Sequence, residues 1–245
     1  SKIQIVVLKH FQISLRLYQV YGLNRLAFRM GNFFVIAVDG GAGTGKSTLS
    51  NLLSERKNFL YVETGAHYRA LTCLFLENSI APNEVVAFLK KTPPSIKAKI
   101  HNRKSHILVN NKEFELEDLR AADVNANVSH FAAISEVRKC LFQYQRSQVE
   151  YARQEKYGGI VLEGRDIGTK IFPESDLKVF LYSDAKIRIA RRIQDGEQDL
   201  IKQRDKMDAN RQEAPLACAD DALKLDTGKM CPEEVYEKVI SALVC

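Results

Sequence analysis

Continuous apolar runs, rather than alternating ones, mark the strands of this chain. Phe33-Phe34-Val35-Ile36-Ala37-Val38 is such a run, as expected of a strand buried on both faces of a parallel sheet. A glycine-rich turn follows. Ser47 to Arg56 then has helical spacing, with Leu49, Leu52 and Leu53 on one side. Asn58 to Glu63 reads as a second strand and Ala66 to Glu77 as a second helix. The opening order strand, helix, strand, helix predicts an α/β fold, a doubly wound parallel sheet.

The middle of the chain has a different rhythm. Pro93-Pro94 is a break, after which Ile96 to Ile100, His106 to Val109 and Glu113 to Leu116 read as short strands. Asn110-Asn111 offers a tight turn between the last two. A small antiparallel insert is therefore predicted over about residues 82–120. A long helical stretch, Ala121 to Gln154, follows with an interruption near Ser135. The doubly wound pattern then resumes: Gly159 to Leu162 and Leu177 to Tyr182 are apolar strands, and Asp184 to Arg211 is charged and helical. Leu223 to Asp226 is a last strand, and Pro232 to Val244 a closing helix with proline suited to its first turn.

Composition changes this picture little. The 245 residues are 45% hydrophobic and 27% charged, ordinary for one globular α/β domain. No apolar run reaches the ~18 residues of a membrane span. The five scattered cysteines form no C-x-x-C pair and read as reduced thiols of a cytoplasmic protein, not as a disulfide or zinc framework. The net charge of +6 hints at nucleic acid, but Lys2, Lys9, Arg16, Arg25 and Arg29 stand in an acid-free arm before Met30. The rest is nearly balanced, which argues against a basic nucleic-acid face. Residues 1–32 read as a basic extension, either disordered or an upstream translation artefact, with an amphipathic or targeting segment as the alternative. Residues 33–245 read as one domain.

The chemistry begins at Gly40-Gly41-Ala42-Gly43-Thr44-Gly45-Lys46-Ser47, which satisfies G-x-x-x-x-G-K-[ST] between an apolar strand and a helix. Glycines let the backbone wrap a polyphosphate and turn its N–H groups inward, onto the positive end of the next helix. Lys46 is expected at the β- and γ-phosphates, Ser47 at Mg²⁺, and Gly40 to Thr48 along the ATP. GTPases, motors and kinases share this loop, so it does not name the acceptor.

Two further turns follow strands and face the same crevice. One is Glu63-Thr64-Gly65-Ala66-His67-Tyr68-Arg69, the other Glu163-Gly164-Arg165-Asp166-Ile167-Gly168-Thr169. An arginine beside an aspartate at a strand end makes an oriented anion clamp. Arg204, Asp208 and Arg211 fall on one face of a helix. Upstream of them, Arg188, Arg191 and Arg192 form a basic helical cluster able to close over phosphates.

Together with V-S-H-F-A-A-I-S-E-V-R, A-P-L and the late D-T, these motifs occur in the order seen in bacterial cytidylate kinases, which the chain resembles from about Phe33 onward. The resemblance implies a P-loop core with an NMP-binding insert and a helical lid over about residues 185–211. It implies that a monomer uses ATP and Mg²⁺ to phosphorylate CMP and dCMP, without nucleic-acid or membrane partners. Thr64, Tyr68 and Arg69 match residues that bind the monophosphate. Ser129 and Arg138 match the readers of cytosine, and Arg165 and Asp166 match phosphate and sugar contacts. Asp208 and Arg211 match contacts to ribose and acceptor phosphate, while Arg191, Arg192 and Arg204 match phosphate-region arginines. Departures are Glu63 in place of aspartate, His67 at an apolar position, where it reads as a packed side chain, and a short lid between Arg192 and Arg204. The alternatives are a P-loop kinase for UMP, AMP or dephospho-coenzyme A, and a nucleotide-dependent switch or nucleic-acid-binding ATPase.

Overall fold

The computed structural model describes residues 33–194 and 201–244, with 201–204 and 244 as backbone alone. The basic arm (residues 1–32), lid residues 195–200 and Cys245 lie outside the described residues.

Strand β1 (Phe34–Gly40) enters the P-loop, and helix α1 (Lys46–Lys57) leaves it. Gly45, at φ 87°, occupies the left-handed conformation that starts α1, which glycine adopts without a Cβ penalty. The first turn of α1 carries no acidic side chain, so the helix's positive end is left for an anionic ligand. Leu49 and Leu53 are the buried stripe of α1. Asn58, at φ 53°, ends the helix, and β2 (Phe59–Glu63) follows at once.

Helix α2 (Thr64–Glu77) leads into the middle region: α3 (Val85–Lys91), β3 (Ile96–His101), β4 (Lys104–Val109), β5 (Lys112–Glu113) and α4 (Leu116–Leu119). The predicted long helix is split into α5 (Ala122–Ala132) and α6 (Ser135–Gln154). Then come β6 (Gly159–Gly164), a single π-helical turn at Ile167–Ile171, and β7 (Leu177–Tyr182). Helices α7 (Ala185–Gln194) and α8 (Ile201–Ala209), strand β8 (Leu223–Asp226) and α9 (Pro232–Val244) complete the described chain.

The strands form one sheet in the order β3-β4-β2-β6-β1-β7-β8, with β5 beside β4. From β2 to β8 every neighbour is parallel, the doubly wound core. The insert is antiparallel within itself but is not a separate sheet. Its strand β4 runs parallel to β2, pairing Lys104 with Tyr61 and Ser105 with Val62. An edge strand of the core is thereby covered, and the insert becomes continuous with the strand that leads into the Thr64 turn.

One apolar cluster joins β1, β2 and β6 to Ala152 of α6 and to Ile167, Ile171 and Phe172 of the π turn. Another packs α2, α5 and α6 against β4, with the Phe75 and Phe131 rings 5.0 Å apart. Cys73, Cys140, Cys218 and Cys231 are free thiols. Among the described residues no helix is long and apolar enough to cross a membrane.

Candidate active site

Three strand ends bring the predicted motifs side by side. The parallel register sets Asp39 opposite Gly164 and Glu63 opposite Glu163, so the P-loop, the Thr64 turn and the Arg165 turn emerge together. Between them opens a cleft of about 390 Å³ lined by Ala42 to Thr48, with Arg69, Arg120, Arg165, Arg191 and Arg192 around it and Glu63 and Glu163 at its floor. Polar main chain and cations dominate that lining, which suits a polyphosphate.

Lys46 is buried and its ammonium donates to the Gly41 carbonyl at 2.7 Å, which holds the side chain back along the loop. Ser47 donates to Glu163 Oε1 at 2.8 Å, and Ser50 to Oε2 at 3.4 Å. Burial and the neighbouring Glu63 push the Glu163 carboxyl upward, while Lys46 and the Ser47 hydroxyl oppose the shift. A hydroxyl beside two carboxylates is a hard oxygen donor set, which fits Mg²⁺. Among the described residues no cluster of three or more His, Cys, Asp or Glu side chains forms a metal cage, and Mg²⁺ sites of this type draw much of their coordination from phosphate and water.

Across the Arg165 turn lies a small pocket, about 60 Å³, lined by Thr64, Tyr68, Arg69, Ser129, Arg165, Asp166, Asp208 and Arg211 among others. Asp208 is its hub. It accepts from Ser129 Oγ at 3.1 Å and Arg165 Nε at 3.0 Å, and it pairs with Arg211. Thr64 Oγ1 donates to the Glu163 carbonyl at 2.7 Å, joining the two turns. Arg69 donates to the Leu119 carbonyl at 2.6 Å and to Asn125 Oδ1 at 2.9 Å. Burial, with Arg192 nearby, lowers its pKa to about 10. Burial holds the Tyr68 phenol at about 12, against the pull of Arg138.

Arg138 is placed differently from the other candidates. It lines a neighbouring pocket of about 360 Å³ instead, pairs with the buried Asp166, donates to the Ala132 carbonyl at 3.3 Å and lies 5.4 Å from the Tyr68 ring centre. Its reach into the small pocket is through Asp166.

The arginines of α7 and α8 divide their tasks. Arg188 pairs with Asp205 and donates to the Ala42 carbonyl at 3.1 Å. Asp205 in turn accepts from the Ala42 amide at 3.4 Å. Helix α7 thus rests on the P-loop, so closely that a Cβ on Gly43 would lie 2.9 Å from the Arg188 carbonyl. Arg191 donates to the Thr227 carbonyl at 2.8 Å. It borders both the phosphate cleft and a more apolar pocket of about 260 Å³ lined by Leu49, Thr227, Met230, Pro232 and Val235. Arg192 lines the phosphate cleft. Arg204 belongs to α8, and its side chain lies outside the described ones.

Sequence reasoning missed the Arg188–Asp205 latch, Arg120, and the apolar pocket after β8. Only the D-T at the end of β8 signalled the last. His67 is packed, fully buried against Tyr144 with ring centres 5.0 Å apart. Neither ring nitrogen has a hydrogen-bond partner among the described residues, and burial lowers its pKa to about 3.

A parallel α/β sheet whose P-loop cleft adjoins a second, arginine-bearing pocket defines a P-loop kinase. The family model described as cytidylate kinase matches residues 36–244. A cytidylate kinase of Clostridium botulinum (strain Langeland) is 36% identical over 219 residues, covering 85% of this chain and 96% of its own. A bifunctional pantoate ligase/cytidylate kinase of Synechococcus sp. (strain CC9902) is 38% identical over 229 residues, covering 87% of this chain and 46% of its own. Among solved structures, a shikimate kinase from Acinetobacter baumannii aligns over 87% of this chain and 94% of its own, with 10% identity and a TM-score of 0.42. The chain belongs to the cytidylate kinase family.

Proposed function

We infer that this protein transfers the γ-phosphoryl group of ATP to CMP and dCMP, giving ADP and CDP or dCDP. The observation that carries this reading is the wall shared by the two pockets. Gly65, Arg69, Gly164 and Arg165 line both the polyphosphate cleft and the small pocket, so donor and acceptor phosphates would meet there.

The P-loop amides and the acid-free start of α1 cradle the donor phosphates, and Lys46 turns from the Gly41 carbonyl onto them. The apolar pocket beside Arg191 takes the donor's base. Arg165 and Arg211 hold the acceptor phosphate, exchanging their bonds to Asp208 for bonds to ligand. Ser129 and Asp166, the latter held by Arg138, face the cytosine, whose amine and ring acceptors suit a hydroxyl and a carboxylate. Ser47, backed by Glu163, is the group that would hold Mg²⁺. When bound, that ion neutralises phosphate charge. The transfer then needs positioning and charge rather than a covalent intermediate.

The acceptor pocket, about 60 Å³, is far smaller than the ~300 Å³ or more of an ordinary ligand site. CMP entry therefore parts α8 from α5 at the Ser129–Asp208 bond, and closure around the bound pair excludes water.

The test is phosphorylation of a panel of monophosphates by the purified protein with ATP and Mg²⁺. CMP and dCMP should be used best. Equal or better use of UMP or AMP would overturn the acceptor assignment, and acceptor-free hydrolysis as the main reaction would point to an ATPase.

A further inference from the structure

We propose that Asp39 is a positioning residue for the acceptor site, its carboxylate fixing the turn that carries Arg165 and Asp166 to the strand that launches the P-loop. The proposal rests on the reading of Arg165 and Asp166 as acceptor contacts. Asp39 is the penultimate residue of β1, one position before Gly40, and lines neither the phosphate cleft nor the acceptor pocket. Its Oδ1 accepts from the Ile167 amide at 2.9 Å and its Oδ2 from the Gly168 amide at 2.8 Å.

These amides open the π-helical turn directly after Arg165 and Asp166. The first amides of a helical turn have no partner within it, and one carboxylate meets two of them. The same turn closes on the Asp166 carbonyl, which accepts from the Lys170 amide at 2.9 Å and the Ile171 amide at 3.2 Å. Fixing Ile167 and Gly168 therefore fixes the Asp166 backbone and the direction in which Arg165 leaves β6. Hydrogen bonding to both oxygens makes this a clamp in two directions, and both ends are nucleotide-binding loops.

Charged and titratable groups around Asp39 come from several elements. Asp166 faces it from the turn, Lys46 from α1, and Cys218 from the segment after α8, while Lys178 of β7 lays its stem against Gly168. Burial raises the Asp39 pKa from 3.8 to about 6 despite the two amide bonds. The sign matters. The folded form holds this proton more tightly than the unfolded one, so the linked stability is lost as pH rises from 3.8 toward about 6. At neutral pH the ionised carboxylate is thus kept at a cost to stability, which is expected of a group retained for its site.

The experiment compares the full chain with Asp39→Asn in steady-state kinetics and in binding of a fluorescent ATP analogue. Asparagine keeps the shape and accepts from one amide, but it turns an NH₂ toward the other. In Asp39→Asn, kcat/KM for CMP should fall about tenfold or more, because small misplacement of positioned groups is costly. Affinity for the ATP analogue should stay within about threefold, since the P-loop amides are untouched. The wild type should also lose kcat/KM for CMP as pH falls through about 6. Substrate phosphates titrate in the same range, so the informative quantity is the part of that fall missing from Asp39→Asn.

CMP kinetics like those of the wild type in a folded Asp39→Asn protein, or equal losses for CMP and ATP, would overturn the proposal. Should the variant not fold, NMR of the wild type decides. The Ile167 and Gly168 amide shifts should then titrate together near 6, with CMP-induced shifts at Arg165 and Asp166 weakening in step. Independent behaviour of the two sets overturns the proposal. A wild type that phosphorylates another monophosphate and not CMP sinks the functional reading, and this inference with it.

Discussion

Arg138 and Asp166 are buried together, and neither can lose its partner without leaving a charge in the interior. Replacing Arg138 with methionine keeps the apolar stem and removes the guanidinium. A hydrogen bond to a charged group is worth about 1.5–3 kcal/mol, so KM for CMP should rise roughly tenfold to a hundredfold while the affinity for an ATP analogue holds. Removing one member of a buried pair also destabilises by about 3–5 kcal/mol, which thermal melting would register. His67 gives the opposite case, a buried ring whose nitrogens have no hydrogen-bond partner among the described residues. It stays neutral in the fold down to a pKa of about 3, whereas the unfolded chain takes up a proton near 6.5. The unfolded state therefore binds more protons between those values, and stability is lost as pH falls below about 6.5. His67→Phe keeps the edge contact with Tyr144 and removes that term. At pH 5 it should recover about 2 kcal/mol relative to its effect at pH 7, measured as a smaller drop in Tm between the two.

Among the elements, those with local causes were legible in the sequence. Strands β7 and β8 and helix α9 have the bounds that their apolar runs and Pro232 predict, and the helix break falls at Ser135 as expected. The π-helical turn was not legible, because its cause lies 128 positions away in Asp39. Helix α3 was missed for a different reason: Val85, Phe88 and Leu89 do form an i, i+3, i+4 stripe packed on the core, but seven residues are too few for that period to stand out. The P-loop and both acceptor turns were legible as motifs, but the partners of each side chain were not. Nothing local distinguishes Arg188, which latches α7 to the loop, from Arg192, which lines the cleft. That latch can be tested by a double-mutant cycle. Arg188→Ala and Asp205→Ala should each raise KM for ATP, because each frees the lid from Ala42. Their combined effect should fall short of the sum by about 0.5–3 kcal/mol, as for residues in direct contact. Full additivity would show that they act separately.

At the scale of the molecule, the sheet itself brings the phosphate cleft and the small pocket together. Because β1, β2 and β6 are adjacent and parallel, their three following turns converge without any long connection. Because β4 extends the sheet from β2, the insert is carried on the same frame as the P-loop. Every residue lining the phosphate cleft and acceptor pocket falls between Ala42 and Arg211, and the strand that launches the loop begins at Phe34. Five of the six surplus positive charges belong to the first 30 residues. These facts separate two properties that the full chain combines. A chain of residues 33–245 should phosphorylate CMP with the kcat and KM of the full protein, since the cleft, the latch and the Asp39 clamp are all retained. It should also lose most of whatever salt-sensitive attraction the full chain shows for polyanions, because that attraction follows the number of clustered cations. The pair of measurements is CMP kinetics and retention on a polyanionic matrix across a salt gradient, for both lengths. A truncated chain that retains polyanion binding at the same salt would place the basic surface on the kinase domain instead, and would revive the reading of a nucleic-acid-binding ATPase.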